Sequence, residues 1–558
     1  MWGSDLIAES IRAAGFTFAA VNPGASYRGL HDSIVNHQPG RIDLLTVLHD
    51  EHAVAVAHGW TKVTGEPALA MLHSNVGLLH AAMAIHNAWV DRAPVVILGA
   101  SGAMDAVRRR PWIEWIHTMQ DQAAPVRPFL KWDDQPASAV AAARAVVEAR
   151  FRSGMAPTGP SYVVMDVTYQ EQWLDTIPEL SRLTAVPGHA RPGLSPDVLA
   201  ELQQALQSSR RPVFVFGRSG RDLKSWDARL QLAHAHGACV VTDIRCAASF
   251  PTDDPCHIGQ PGFGADPAQK TALAQADLVI LFDAIDPASW QDLAGPDAAV
   301  VLVTLDQALH RGQVKDSFGL PRALTLHAAD PDMAVRQLAA QAGGAVRKPW
   351  QPVAGQTGDG AAAHSLDAGD SYAPMAEGLA ALRREMPIAL TRLPLAWPGG
   401  LLPFRHPLDY IGRDGGEGLA SGPGLAVGAA LALKGTGRLP VAVIGDGDFM
   451  MGASALWTAA NQGLPLLVVV AANGVYGNDV VHQRRVAEAR GRPLENIWVG
   501  QRLDGPRLAI AELASSIGAL AAERMDASDP GLVDAVLRLG RMALARGGVT
   551  LLEVGIPA

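Results

Sequence analysis

The chain is predicted to fold as α/β throughout, in three doubly wound domains with mostly parallel sheets. Short apolar, β-branched runs alternate with helically patterned segments along the whole sequence, which is the rhythm of strand–helix–strand units. Two stretches break that rhythm, residues 176–196 (rich in Pro, Gly and Arg) and residues 342–372, and both read as linkers. A length of 558 residues is also too great for one core.

The first domain, residues 1–175, goes straight from Ser4-Asp5 into an amphipathic helix, with strands expected at 16–21, 44–48, 68–72, 95–98 and 162–167. The second, residues 190–342, has strands expected at 213–216, 239–242, 278–282 and 300–304. Its first strand runs into Gly217-Arg218-Ser219-Gly220, an incomplete dinucleotide fingerprint that reads as a plain strand-to-helix turn. The third, residues 373–558, opens with a helix at 375–385 and closes on a strand at 550–554. Gly358-Asp359-Gly360 in the second linker has no strand before it and no asparagine at a useful distance after it.

Composition sets outer limits. With 48% apolar and 18% charged residues the chain reads as globular with ample core, and a net charge of −9 argues against non-specific nucleic-acid binding. Cys239, Cys246 and Cys256 lack metal-ligand spacing and leave an odd thiol, so a reducing, cytoplasmic setting is expected. There is no signal-peptide pattern at the start. The longest uncharged stretch, 67–90, is interrupted by His73, Ser74, Asn75, His80, His86 and Asn87, and so reads as buried strand, loop and helix rather than a membrane span.

The most informative stretch lies in the third domain. An apolar run at 439–444 breaks at Gly445-Asp446-Gly447, and helical spacing of Ala455, Leu456, Ala459 and Ala460 follows. Gly463-Leu464-Pro465 then stops the helix before a second apolar run at 466–470 that leads to Asn473. In such a βαβ unit both strand ends fall on one edge of the sheet, so Asp446 and Asn473 are expected side by side. With the Val475 carbonyl they make a hard-oxygen half-shell suited to Mg²⁺, and the helix start after Gly447 offers N–H groups to a diphosphate.

Gly445-Asp446-Gly447 followed by Asn473-Gly474-Val475-Tyr476-Gly477 resembles the diphosphate motif of thiamin-diphosphate enzymes of the acetolactate synthase, benzoylformate decarboxylase and pyruvate decarboxylase group. The resemblance covers essentially the full chain and implies pyrimidine-binding, central and diphosphate-binding domains in that order. It implies thiamin diphosphate and Mg²⁺ as cofactors, with Asp446, Asn473 and Val475 on the metal and Gly447, Asp448 and Tyr476 beside the diphosphate. One departure is Ala472, where the family usually has the first of two asparagines. Asn22-Pro23-Gly24 matches the turn beside the cofactor pyrimidine, and Glu417-Gly418-Leu419 the loop under the thiamin ring. Leu419 falls where a bulky apolar residue wedges the cofactor, and Glu417 offers its backbone carbonyl.

The family activates the cofactor with a first-domain glutamate. Aligned without gaps that position falls on Asp50, with Glu51 one residue later, and either can be the activator. His73 matches an active-site histidine of benzoylformate decarboxylase. Ala25 stands where that enzyme has a catalytic serine, and Ser26 follows it. The substrate pocket implied by resemblance includes Ala25, His117, Gln122, Asn478 and His482, with Trp112 and Trp115 in a loop that closes over the site or packs at an interface. The implied function is C–C bond cleavage or formation on a 2-oxo acid, as a decarboxylase (lyase) or an acetolactate-synthase-like carboligase (transferase). The implied assembly is a homodimer or homotetramer with active sites at the subunit interface. FAD is neither supported nor ruled out, because the family's middle domain is sometimes a flavin site and often an empty scaffold. The alternative reading, kept open by Asp50 and Ala472, is a catalytically impaired member serving as a cofactor-binding or structural partner subunit.

Overall fold

The computed structural model describes residues 1–177, 179–185, 190–306, 324–344, 346–353 and 369–558. Gly358-Asp359-Gly360 and parts of both expected linkers lie outside these described residues. Three sheets form, each wholly parallel. The first has six strands, β1 (Phe18–Val21), β2 (Asp43–Thr46), β3 (Ala68–Leu72), β4 (Val95–Ser101), β5 (Trp132–Asp134) and β6 (Ser161–Asp166), in the order β2-β1-β3-β4-β6-β5. The central sheet comprises β7 (Pro212–Phe216), β8 (Cys239–Thr242), β9 (Leu278–Phe282), β10 (Ala299–Val303) and β11 (Leu324–His327), ordered β11-β10-β9-β7-β8. The third contains β12 (Ile388–Arg392), β13 (Leu439–Gly445), β14 (Leu466–Ala472), β15 (Ala521–Asp526) and β16 (Val549–Gly555), ordered β12-β13-β14-β16-β15.

Helices cover both faces of each sheet, so interior strands such as Ala68–Leu72 and Leu278–Phe282 are buried along their full length. This is why they are written as unbroken apolar runs rather than alternating ones. Among the described residues no helix is long and apolar enough to cross a membrane.

The first and third domains share one apolar core. Val54, Ala57 and Leu72 belong to the same buried cluster as Ala426, Val427 and Leu456. The joint is a crossing of two helices, Asp50–Thr64 and Ser421–Leu433. Both are built of small residues where they touch. A Cβ at Gly59 would lie 2.1 Å from the Leu425 carbonyl oxygen, and one at Gly428 only 1.9 Å from that of Val56. The backbones are therefore in direct contact. Polar pins flank this seam: His52 Nε2 meets Ser454 Oγ at 2.9 Å, Thr458 Oγ1 donates to Thr46 O at 2.9 Å, and buried Lys62 donates to Arg413 O at 2.7 Å while pairing with Asp91.

Candidate active site

Strands β13 and β14 are neighbours, with Gly445 paired to Ala471, so their carboxyl ends emerge together. Asp446 begins the Asp446–Gly452 helix directly after β13 and is 4% exposed. Its carboxylate accepts Gly447 N–H at 2.8 Å and, from the other strand tip, Gly474 N–H at 2.7 Å. Asn473 Oδ1 accepts Val475 N–H at 3.2 Å. Burial pushes the Asp446 carboxyl above its ordinary value, against the pull of those backbone bonds, and among the described residues no basic side chain pairs with it.

A buried carboxylate without a counter-cation, beside an amide and a turn carbonyl, is a donor set that fits a hard divalent ion. A cavity of about 690 Å³ opens over it, lined by Asp446, Asn473, Val475, Tyr476, Leu419 and Asn478 among others. The Tyr476 ring covers Gly447 so closely that a Cβ there would lie 2.7 Å from Cε1, so only glycine fits at this position between the strand tip and the ring.

The loop under the cavity is braced by buried charge. Arg392, 2% exposed at the end of β12, pairs with Asp414 at 2.8 Å and Asp448 at 3.3 Å. Asp414 also accepts Glu417 N–H and the Ser421 hydroxyl, and Arg413 pairs with Glu417 at 2.5 Å. These bonds hold Glu417 at φ +56° and Ala420 at φ +86°, left-handed conformations unfavourable for side-chain-bearing residues. The result carries Leu419, 38% exposed, into the cavity wall. Asp448 is turned inward, accepting Ala420 N–H at 2.9 Å.

A second cluster gathers at the carboxyl ends of β1 and β3. Asp50, 2% exposed, is the first residue of its helix, whose cap is His49, with Nδ1 accepting Glu51 N–H at 3.2 Å. Asp50 accepts Asn22 Nδ2–H at 2.9 Å and His73 N–H at 3.3 Å, with His80 Nδ1 at 3.7 Å. His73 Nδ1 is 2.8 Å from Ser26 Oγ, and its ring meets His117 edge-on at 5.0 Å. Burial, then His117, holds His73 below the ordinary imidazole range. Glu51 is directed elsewhere, toward the third domain, where burial and then the Asp448 carboxylate raise it.

Family comparisons match this arrangement three times. The N-terminal TPP binding domain of thiamine pyrophosphate enzymes matches residues 1–124, the central domain of these enzymes residues 199–315, and their C-terminal TPP binding domain residues 395–554. The chain belongs to the thiamin-pyrophosphate enzyme family. A benzoylformate decarboxylase of Pseudomonas aeruginosa is 28% identical over 480 residues, covering 84% of this chain and 85% of its own. An acetolactate synthase large subunit of Haemophilus influenzae is 22% identical over 512 residues, covering 85% and 82%. Among solved structures, a thiamine diphosphate-dependent 4-hydroxybenzoylformate decarboxylase of Rhodococcus jostii RHA1 superposes with a TM-score of 0.77 at 22% identity, over 100% of this chain and 99% of that one. Benzoylformate decarboxylase from Polynucleobacter necessarius gives 0.79 at 19%, with the same coverage. The chain is thus a thiamin-pyrophosphate-dependent enzyme related to these decarboxylases and synthases, and nothing among the relatives favours a non-catalytic partner subunit.

In this thiamin-pyrophosphate enzyme the remaining expected residues fall as follows. Pro23, Gly24 and Ala25 line a shallow hollow with Arg28, and Gly24 presses on the His73 ring, where a Cβ would lie 2.1 Å from Nδ1. Gly418 abuts Met83 of the first domain. Gln122 is fully buried, its amide donating to Ala100 O at 2.9 Å and Tyr162 Oη at 2.8 Å, which occupies it within the fold. Asn478 lines the cavity, whereas His482 is exposed and outside its lining. Trp112 and Trp115 are exposed at 70% and 65%. In the central domain Gly220 N–H is taken by Asp332 Oδ2 at 2.7 Å, so the turn after β7 presents a carboxylate where a phosphate would need a donor.

Sequence reading had no means to find the Ser26–His73 bond, the Asn22–Asp50 bond or the bracing role of Arg392. One signal was present for the imidazole cluster: six of the chain's 18 histidines fall between positions 49 and 86, and His49, His73 and His80 of these surround Asp50.

Proposed function

We propose that this enzyme uses Mg²⁺ with thiamin diphosphate to break or make the C–C bond beside the carbonyl of a 2-oxo acid. The observation carrying this reading is Asp446: a buried carboxylate lacking a cation, hydrogen-bonded across to the strand tip that bears Asn473. Asp446, Asn473 and the Val475 carbonyl would hold the ion, the backbone after Gly447 the diphosphate, and Leu419 the ring. Bound there, the cofactor supplies the electron sink for the bond that breaks. Asp50, oriented by Asn22 and the His73 N–H, would hold a proton against the pyrimidine nitrogen. With Ser26 donating to Nδ1, neutral His73 carries its proton on Nε2 and can present it to a substrate oxygen. Asn478 and Arg484 on the cavity wall favour a 2-oxo acid with a polar tail.

The active site is completed by a second copy of the chain. Among the described residues the third-domain cavity is lined only by positions 371–558, so nothing from the Asp50 cluster reaches it within one chain. Both regions carry exposed apolar side chains, Leu48, Val76 and Leu79 on one and Leu419, Met450 and Met451 on the other. A two-fold pairing of copies would cover both at once. The decisive experiment incubates the protein with thiamin diphosphate, Mg²⁺ and a panel of 2-oxo acids. CO₂ release or a ligated product supports the reading, and its absence, with no cofactor- and Mg²⁺-dependent rise in melting temperature, refutes it.

A further inference from the structure

We propose that His234, Asp254 and Cys256 form a transition-metal site, for Zn²⁺ or an ion of like preference, at the joint between the central and third domains. One imidazole nitrogen, one carboxylate oxygen and one sulfur lie within 4.8 Å of one another, with His234 Nε2 2.9 Å from Asp254 Oδ2. Tetrahedral zinc with nitrogen and oxygen at ~2.0–2.2 Å and sulfur at ~2.3 Å spaces its ligand atoms roughly 3.3–3.7 Å apart. Closing around an ion therefore asks for shifts of about one ångström. The mixed nitrogen, oxygen and sulfur set suits zinc and its neighbours and disfavours Mg²⁺ or Ca²⁺. One carboxylate and one thiolate also balance a divalent charge.

Both ligand-bearing segments are held in place without the ion. His234 lies in the last turn of the Leu223–His236 helix. Asp254 Oδ1 accepts Cys256 N–H at 2.8 Å, and Val240 N–H to Cys256 O and Ile258 N–H to Val240 O fasten the segment along β8. Thr252 N–H to Phe404 O at 3.0 Å, Phe404 N–H to Thr252 Oγ1 at 2.9 Å and an Arg405–Asp253 pair tie the same segment to the third domain. The His234 side chain is 33% exposed, which leaves a fourth position for water, while Cys256 is fully buried. Burial, then Asp254, pushes the Cys256 thiol up to about 12, which disqualifies it as a nucleophile and means that an ion must displace its proton. Cysteine spacing alone hides the site because the ligands come from a helix and a distant loop.

The test is a Co²⁺ titration of the full-length protein loaded with Mg²⁺ and thiamin diphosphate. One ion per chain should give a thiolate-to-cobalt charge-transfer band in the near ultraviolet with tetrahedral visible bands, all displaced by Zn²⁺. The Asp446 site has only oxygen ligands and cannot produce the charge-transfer band. Cys256→Ser and His234→Ala should abolish the spectrum and Cys239→Ser should keep it, with far-ultraviolet dichroism checking that each variant folds. X-ray absorption at the zinc edge of the unmutated protein should find one sulfur ligand, which keeps the test informative if a variant misfolds. No charge-transfer band at saturating Co²⁺, a band that survives Cys256→Ser or His234→Ala, or a zinc shell without sulfur would each overturn the proposal.

Discussion

Asp50 and Glu51 are adjacent in sequence but face different neighbours, because successive residues on a helix point about 100° apart. Asp50 belongs with Asn22 and His73, and Glu51 with Asp448 of the third domain. Asp50→Ala is therefore expected to lower kcat by about 10²-fold or more, whereas Glu51→Ala keeps most turnover and changes stability instead. Steady-state rates with saturating cofactor decide between them, and the reverse pattern would move the proton-holding role to Glu51. The neighbourhood of Asp446 and Asn473 was legible in the sequence because parallel strand tips joined by one helix must emerge at the same edge. The Ser26–His73 bond and the inward turn of Asp448 were not. The first depends on the path of the turn that carries Ser26, and the second on a buried arginine contributed by β12, far away in the chain.

At the level of elements, the interior strands were legible and several edge strands were not. Residues 68–72, 213–216 and 278–282 were expected as strands, and they are strands. β5, β11, β12 and β15 were missed, and each lies at the rim of its sheet. At the rim one side is less covered, so β5 reads Trp-Asp-Asp and β15 mixes Glu, Arg and Asp with apolar residues; β12, though buried, ends in the ion-paired Arg392. The helix crossing gives a prediction at the same scale. Gly428→Ala places a methyl 1.9 Å from the Val56 carbonyl, a backbone atom that cannot rotate away. A loss of about 1–3 kcal/mol or more is expected, seen as a lower melting temperature and urea midpoint. An unchanged midpoint would mean that the two helices stand further apart than described.

For the whole molecule, two buried histidines set an acid limit on stability. His52, which bridges to Ser454 across the seam, and His257 in the central domain are each lowered by burial from 6.5 to about 4. The unfolded chain binds those protons first, so stability is unaffected above pH 6.5, falls as pH drops from 6.5 toward 4, and levels off below for these groups. Each contributes on the order of 1–3 kcal/mol of that fall. Calorimetry across this range should show His52→Asn flattening part of the slope. The shared-site assembly is tested by complementation: Asp50→Ala and Asp446→Ala chains, each inactive alone, should recover about a quarter of normal activity when co-assembled in equal amounts, since half the pairs are mixed and each holds one intact site. Failure to recover any activity would place both groups in sites formed within one chain.

The contact between Gly59, Gly428 and the opposing carbonyls has a practical meaning for anyone reshaping what this catalyst accepts. With main chain against main chain, no cushion of side chains exists there to absorb added volume, and randomising that region would mostly yield misfolded libraries. Variation is better tolerated in the solvent-facing segment around Trp112 and Trp115 and on the outer face of the Gly477–Ala489 helix, where a changed side chain meets water or a bound molecule before it meets the frame.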